Sequence, residues 1–484
     1  MSSVPVADPR RVSFVLGSAE GTAPATVLAI VSTMLGTAVA IYLVPTSGVG
    51  RQGLFASGLA MSLGLMITPI AAVIHRPRML LRGEYLLTIA PIYWLLLDLI
   101  QNVYSMASID TEQIKQAFFA IGLFVVMVWI GAARRPWKLP SIVLSAAQHE
   151  FSGRAYFGLA VACFVIAMLA YAIPSNFDIA KMIYYLGQDR WSAPWARGQL
   201  GGWDAFLDHL QYFGYLLPML TVVVSRYVGW RNIRTLMCCA MSVVVTLFLA
   251  QSGSRRVVGV VMGMALVLWV LGQERLRIKH AIQTFVAIAV LLIGLQVMLE
   301  YRNVGLASLL GITTEAGQVR EEKRRFLEEG TLRVDDNFFR LCQVMQFIPK
   351  SYPYVYHKYL LYILVRPVPR VFWPDKPVDP GFDLPTAIGV EGISYSYSVI
   401  GELYMSLGFI GIAIGGWFYG RLSAMARALV TRSNKLAALV MYSVVVMALF
   451  SGLRSILELV LVSYVVLAWI AISKLFTKVT AMRA

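Results

Sequence analysis

Twelve apolar stretches, each close to the length a helix needs to cross a bilayer, constrain this chain more than any other feature. They run approximately 25–45, 53–74, 84–104, 115–133, 155–174, 206–226, 234–251, 257–273, 281–299, 399–420, 436–451 and 455–474, the eighth and eleventh being the shortest. A spanning helix uses roughly 20 apolar residues, so twelve spans would consume about half of the chain. Composition agrees. Of 484 residues, 58% are apolar and only 14% charged, where a soluble domain has about half and about a quarter. Soluble enzyme, disordered protein and disulfide scaffold are excluded. The expected fold class is all-α: a polytopic integral membrane protein with about twelve transmembrane helices.

Charge sets the orientation. The net charge is +16, from 42 Lys and Arg against 26 Asp and Glu. In a soluble protein that balance would point to nucleic acid; here loops on the cytoplasmic side of a membrane explain much of it, and no nucleic-acid partner is expected. With the N-terminus inside, every even-numbered connection is short and basic: Arg76, Arg78 and Arg82; Arg134, Arg135, Lys138 and Arg154; Arg226, Arg231 and Arg234; Arg275, Arg277 and Lys279; Arg421, Arg427, Arg432 and Lys435. Arg10 and Arg11 precede the first stretch, which is longer than a signal-peptide core and reads as an uncleaved span. The expectation is N-in and C-in. Cys163, Cys238 and Cys239 fall in apolar segments and Cys342 in a polar loop, so no external disulfide framework is implied.

One external connection is far too long to be a simple turn. It divides the chain into a membrane region at 1–299 (spans one to nine), an external loop at 300–398, and a second membrane region at 399–484 (spans ten to twelve). Loops of that length are functional or disordered, and this one is rich in Phe, Tyr and Trp, which disordered segments lack. Residues 316–329 read as a charged, solvated helix. Asp335 or Asp336 is placed to cap a helix running Asn337 to Ile348, with Phe338, Leu341, Met345 and Ile348 on one face and Pro349 as its stop. A second amphipathic stretch runs Tyr356 to Val365. Such helices lie in the interface plane or re-enter the protein core.

The external side also collects arginines. Ser252-Gly-Ser-Arg255-Arg256 joins spans seven and eight, Arg302 follows span nine, and Arg340 sits on the capped helix. A run from Arg366 through Arg370, Trp373 and Lys376 to Pro377 is interleaved with prolines, which should hold it extended and fix the guanidinium spacing. Arginine offers a planar fork of donors matched to phosphate oxygens, so these residues suggest an anionic ligand; pairing with nearby carboxylates or lipid headgroups is the competing reading. Glu402, near the external start of span ten, is either a proton acceptor or the structural partner of an external arginine, and both readings stay open. His357 and Glu391 are the other candidates for the base. Asp98 and the Arg454–Glu458 pair read as structural. No metal-spaced His/Cys cluster, P-loop or Asp-x-Asp pair is present, so no metal or other cofactor is expected.

Pro369-Arg-Val-Phe-Trp373-Pro374-Asp-Lys376-Pro377, followed by Gly401-Glu402-Leu-Tyr404 and then Gly408 and Gly411, resembles the bacterial oligosaccharide repeat-unit polymerases, the O-antigen polymerase (Wzy-type) family. The Ser-Gly-Ser-Arg255 turn and the late external loop fit that plan, whereas Met405-Ser-Leu407 departs from it. The resemblance implies a glycosyltransferase of a bacterial inner membrane. It would join undecaprenyl-diphosphate-linked repeat units, donor and acceptor both lipid-linked, at the periplasmic face into O-antigen, capsule or exopolysaccharide. A chain-length-regulating co-polymerase is a possible partner. Arg255, Arg256, Arg302, Arg340, Arg366, Arg370 and Lys376 would bind diphosphate without a metal, and Glu402, His357 or Glu391 would take the proton. An O-antigen ligase-like transferase would use the same donor. A transporter or flippase of lipid-linked sugars is the rival from another class, but transporters carry internal repeats and none is visible here.

Overall fold

The computed structural model describes residues 22–46, 53–196, 201–252, 254–301, 332, 334–366, 368–377, 380–390, 394–433 and 435–481. Arg10, Arg11, the charged stretch 316–329, Arg302 and Glu391 therefore lie outside the described residues. Among the described residues the only regular elements are helices. The helices are α1 (Thr22–Tyr42), α2 (Phe55–His75), α3 (Gly83–Ile100), α4 (Thr111–Ala133), α5 (Ser141–Gln148), α6 (Gly153–Ala172), α7 (Ile179–Leu186), α8 (Asp204–Tyr215), α9 (Leu217–Val228), α10 (Ile233–Gln251), α11 (Arg255–Leu271), α12 (Ile278–Tyr301), α13 (Asn337–Phe347), α14 (His357–Val365), α15 (Ser398–Arg432), α16 (Leu436–Gly452) and α17 (Ile456–Ala481). Nine helices among the described residues are long and apolar enough to cross a membrane. The three other expected stretches are helical but shorter or interrupted: α8 and α9 meet at Leu216, α11 has 17 residues, and α16 also has 17. The chain is a polytopic, all-helical membrane protein.

In lipid there is little hydrophobic drive between helices, so close packing of small residues holds them together. The tightest seam joins α4 to α15. A Cβ added at Gly416 would lie 2.6 Å from the Phe124 carbonyl oxygen, and Gly420 sits as closely on Val128. Gly131 of α4 returns the contact against Trp417. The basic connections gather at one end: Arg78 donates to the Gln273 and Glu274 carbonyls, Ser433 to Ala147, and Lys435 pairs with Glu150.

Three expectations are corrected and one open alternative is decided. The stretch from Ser398 is not a single span. Leu407 (φ −149°) and Gly408 (φ 63°, ψ −146°) break α15, and its halves fold back on each other. A Cβ at Gly415 would lie 2.9 Å from Leu403 Cγ, although residues twelve apart on a straight helix are separated by about 18 Å. Glu402 thus lies on a short doubled-back helix, residues 398–406, and the crossing is made by 409–432. The carbonyls freed at the break are taken up by the segment between α13 and α14: Val355 N–H donates to Met405 at 2.9 Å and Tyr356 N–H to Ser406 at 3.1 Å. Second, of the two readings of α13 it is the core one that holds: Phe338, Leu341, Cys342 and Met345 are buried against α4 and α15, and burial pushes the Cys342 thiol well above its ordinary value. Third, Asp336 stands at the start of α13 but makes no side-chain cap. Fourth, the proline-rich run is turned rather than extended: Phe372 and Trp373 N–H both donate to the Pro369 carbonyl, and Lys376 Nζ closes the turn on the carbonyls of Arg366 (2.9 Å) and Val368 (2.7 Å).

Candidate functional site

A cavity of about 410 Å³ opens at the end of the bundle opposite the basic connections. Its position follows from an irregularity in α3. Pro91 cannot donate a helical hydrogen bond, and the chain just beyond it, Ile92–Leu96, widens into a π turn, a device common at functional sites. The π turn places Tyr93 and Trp94 in the cavity wall. Trp94 is anchored there: its carbonyl accepts from Asn337 Nδ2 (2.9 Å) and its indole N–H donates to Phe450 O (3.1 Å). The end of α3 holds the segment before α13 in register. Gln101 exchanges two hydrogen bonds with the Leu332 backbone (2.7 and 3.0 Å), and Asp98 accepts from Val334 N–H. Asp98 is structural, as expected, and the segment it tethers delivers Asp335 into the cavity wall.

Three arginines there share two carboxylates. Arg454 Nε donates to Asp335 Oδ2 at 2.6 Å, and Arg255 reaches the other oxygen of Asp335 at 3.4 Å. Arg256 pairs with Glu458 at 2.8 Å, and Arg454 approaches the same Glu458 oxygen at 3.8 Å. Burial opposes the charge on Arg454, yet Asp335 and Glu458 beside it hold its pKa above the ordinary arginine value. Among the described residues these pairs set three cations against two anions. Arg190 and Asp208 also line the cavity, with the guanidinium of Arg190 4.3 Å from the Trp191 ring. Trp191, Trp195, Tyr171, Tyr212 and Tyr215 complete a largely aromatic wall. Trp195 is fixed by its indole N–H to Gln251 Oε1 (2.8 Å), and Gln251 donates in turn to the Asp189 carbonyl (3.1 Å). An aromatic wall beside clustered guanidinium groups suits a ligand with a hydroxyl-rich body and an anionic end.

The sequence-derived candidates divide. Arg255 and Arg256 belong to the cavity. Arg340 does not line it; it lies 3.7 Å over the Tyr395 ring and bonds Gln343 Oε1. Arg366, Arg370, Lys376 and His357 are also absent from the lining. Arg366, Arg370 and His357 are exposed, while burial, then Arg370 and Arg366, lower the pKa of Lys376. Glu402 is committed elsewhere. Its Oε2 accepts from Ile456 N–H at 2.6 Å, and the Ser455 and Tyr359 hydroxyls also bond its carboxyl. A carboxylate at a helix N-terminus meets the positive end of the dipole, so Glu402 seats the first turn of α17 directly after Arg454.

The rest of the glycine-rich motif has similar work. Gly401 leaves room for Tyr397 and Leu341, Tyr404 Oη donates to the Ile348 carbonyl (3.4 Å), and Gly408 and Gly411 permit the fold-back. In the other motif, Pro369 accepts the turn bonds and Trp373, Pro374 and Pro377 are exposed. Sequence reasoning missed Arg190, Asp208, Asp335 and Arg454 as site residues. The Arg454–Glu458 spacing was legible as a pair, but Arg256 joining it across 200 residues was not. Among the described residues no three His, Cys, Asp or Glu side chains converge on one point. No family model, curated protein or solved structure matches the chain.

Proposed function

We propose that this protein is an integral-membrane glycosyltransferase that joins undecaprenyl-diphosphate-linked oligosaccharide repeat units at the outer face of a bacterial inner membrane. The reading takes eleven of the apolar stretches and, in place of the tenth, residues 409–432 as crossings, with both termini inside. The observation that carries it is the cavity in which Arg255, Arg256 and Arg454 share Asp335 and Glu458 beside Trp and Tyr rings. When the bond between the donor sugar and its diphosphate breaks, negative charge grows on the leaving phosphate. Preorganised guanidinium donors stabilise that charge as it develops. A diphosphate entering the network would draw the arginines from their carboxylates, so Asp335 and Glu458 hold the cations in place between turnovers. The attacking hydroxyl of the acceptor must lose a proton, and Asp208, which faces the same cavity, is assigned as its acceptor in place of Glu402 or His357. Glu402 positions Arg454 through the start of α17.

Reconstitution with lipid-linked repeat units tests this. Wild-type protein should lengthen the glycan, and Arg256→Lys should reduce lengthening despite its retained charge, because lysine lacks the planar fork. Removing one such donor group typically costs about 10²–10³ in rate, and Arg256→Gln should fall in that range with normal protein yield. Movement of the lipid-linked sugar across the membrane without lengthening would replace the enzyme reading with the transporter one.

A further inference from the structure

The opposite end of the bundle holds a buried arginine of another kind. Arg421, in the last third of α15, is only 7% exposed. Its guanidinium lies 4.9 Å from the ring of Trp137 and 5.7 Å from that of Trp417. Its Nε is buried with no hydrogen-bond partner, and no carboxylate among the described residues pairs with it. The neighbouring buried arginines differ: Arg82 and Arg427 both reach Glu84. A cation taken out of water without an anion is costly, so the arrangement calls for an anion from outside the chain.

Two further observations say which. Trp137 belongs to Arg134-Arg135-Pro-Trp137-Lys138, whose three cations are exposed and have no carboxylate partner among the described residues. A Cβ added at Gly131, just before them, would lie 3.2 Å from the backbone nitrogen of Arg421, so the cations start from beside it. Along α15 an apolar stripe of Ile410, Ile414 and Phe418, at successive four-residue steps, stays 68%, 56% and 42% exposed and ends one turn from Arg421. Trp and basic residues at the end of an exposed apolar stripe match the interface level of a bilayer, and basic pockets between helices on this side recognise anionic headgroups.

We propose that Arg421, Arg134, Arg135 and Lys138 form a site for the phosphate headgroup of an anionic phospholipid, with its acyl chains along Ile410, Ile414 and Phe418. The site is independent of the glycosyltransferase reading. A soluble phosphate would satisfy the charge but has no use for the stripe.

The test uses the purified full-length chain in detergent, with native mass spectrometry for bound lipid and thermal unfolding as a second readout. Phosphatidylglycerol or cardiolipin should remain bound and raise the melting temperature, whereas phosphatidylcholine should do neither. Arg421→Gln should weaken retention about fivefold, and the exposed triple variant Arg134→Gln/Arg135→Gln/Lys138→Gln by more than that. The triple variant decides the matter if Arg421→Gln fails to fold. Arg231→Gln/Arg234→Gln, which removes charge from the same end elsewhere, should leave retention unchanged. Equal retention by the triple variant, equal loss in the Arg231/Arg234 control, or the same stabilisation by inorganic phosphate alone would each overturn the proposal.

Discussion

Among the described residues each end of the bundle holds arginines that share carboxylates, and the two ends differ in what surrounds them. At the basic end, Glu84 lies between Arg82 (2.6 Å) and Arg427 (2.8 Å), accepts from Ser423 (2.5 Å), and is 1% exposed. Arg427 also donates to the Ala132 carbonyl, and Ser423 and Arg427 both come from α15, so the cluster fastens α3, α4 and α15 together. At the other end Asp335 and Glu458 serve three arginines, but these are up to 32% exposed and border a cavity. The same chemistry makes a staple when sealed and a ligand site when open. An ion pair with no room beside it can only hold the fold, whereas one lining a cavity can exchange its partner for a ligand.

The largest effect should come from the sealed end. Glu84→Gln leaves two buried arginines without their carboxylate, and breaking a buried pair in this way costs about 3–5 kcal/mol. Low yield and a depressed melting temperature in detergent are the expected results. Glu458→Gln, at the open end, should cost clearly less stability because water reaches Arg256. Equal losses in the two variants would break the comparison.

A smaller effect should follow from changing the fold-back that seats Glu402 near the open network. Gly408 occupies a backbone region open essentially to glycine alone, where other residues carry strain of about 1–3 kcal/mol. A Cβ there would also lie 2.9 Å from Tyr354 Oη. Gly408→Ala should therefore lower stability by about that amount and reduce lengthening as Arg454 loses its seat, whereas Gly294→Ala, in open space on α12, should do neither. Normal lengthening by Gly408→Ala would detach the fold-back from the site.

The smallest effect concerns Lys376. Burial and the adjacent Arg370 and Arg366 lower its pKa in the folded protein, so the unfolded chain binds more protons in the window just below the ordinary lysine range. Stability from this group must then rise with pH through that window. The melting-temperature difference between wild type and Lys376→Met should move in favour of wild type as pH rises. Movement the other way would show that the loop stabilises the lysine's charge.

Sequence signals alone were enough for the lipid solvent, the helical class and the segregation of basic connections. These rest on local quantities: stretches of apolar residues long enough to cross a bilayer, and loop charge counted connection by connection. The sequence also located the extent of α13 and α14 through their apolar spacing and bounding prolines. Local signals could not reveal the break at Gly408, because residues 398–432 are apolar enough to read as one span; the doubled-back course depends on Val355 and Tyr356 accepting the role of partners for its free carbonyls. Nor could they reveal the cavity. Arg255, Asp335 and Arg454 come from three connections, brought within hydrogen-bond distance only because Pro91 and the π turn of α3 reshape the wall and Gln101 tethers the loop. Whether an arginine is a staple, a ligand group or a solvated surface charge depends on what packs beside it, and that was decided by the tertiary structure alone.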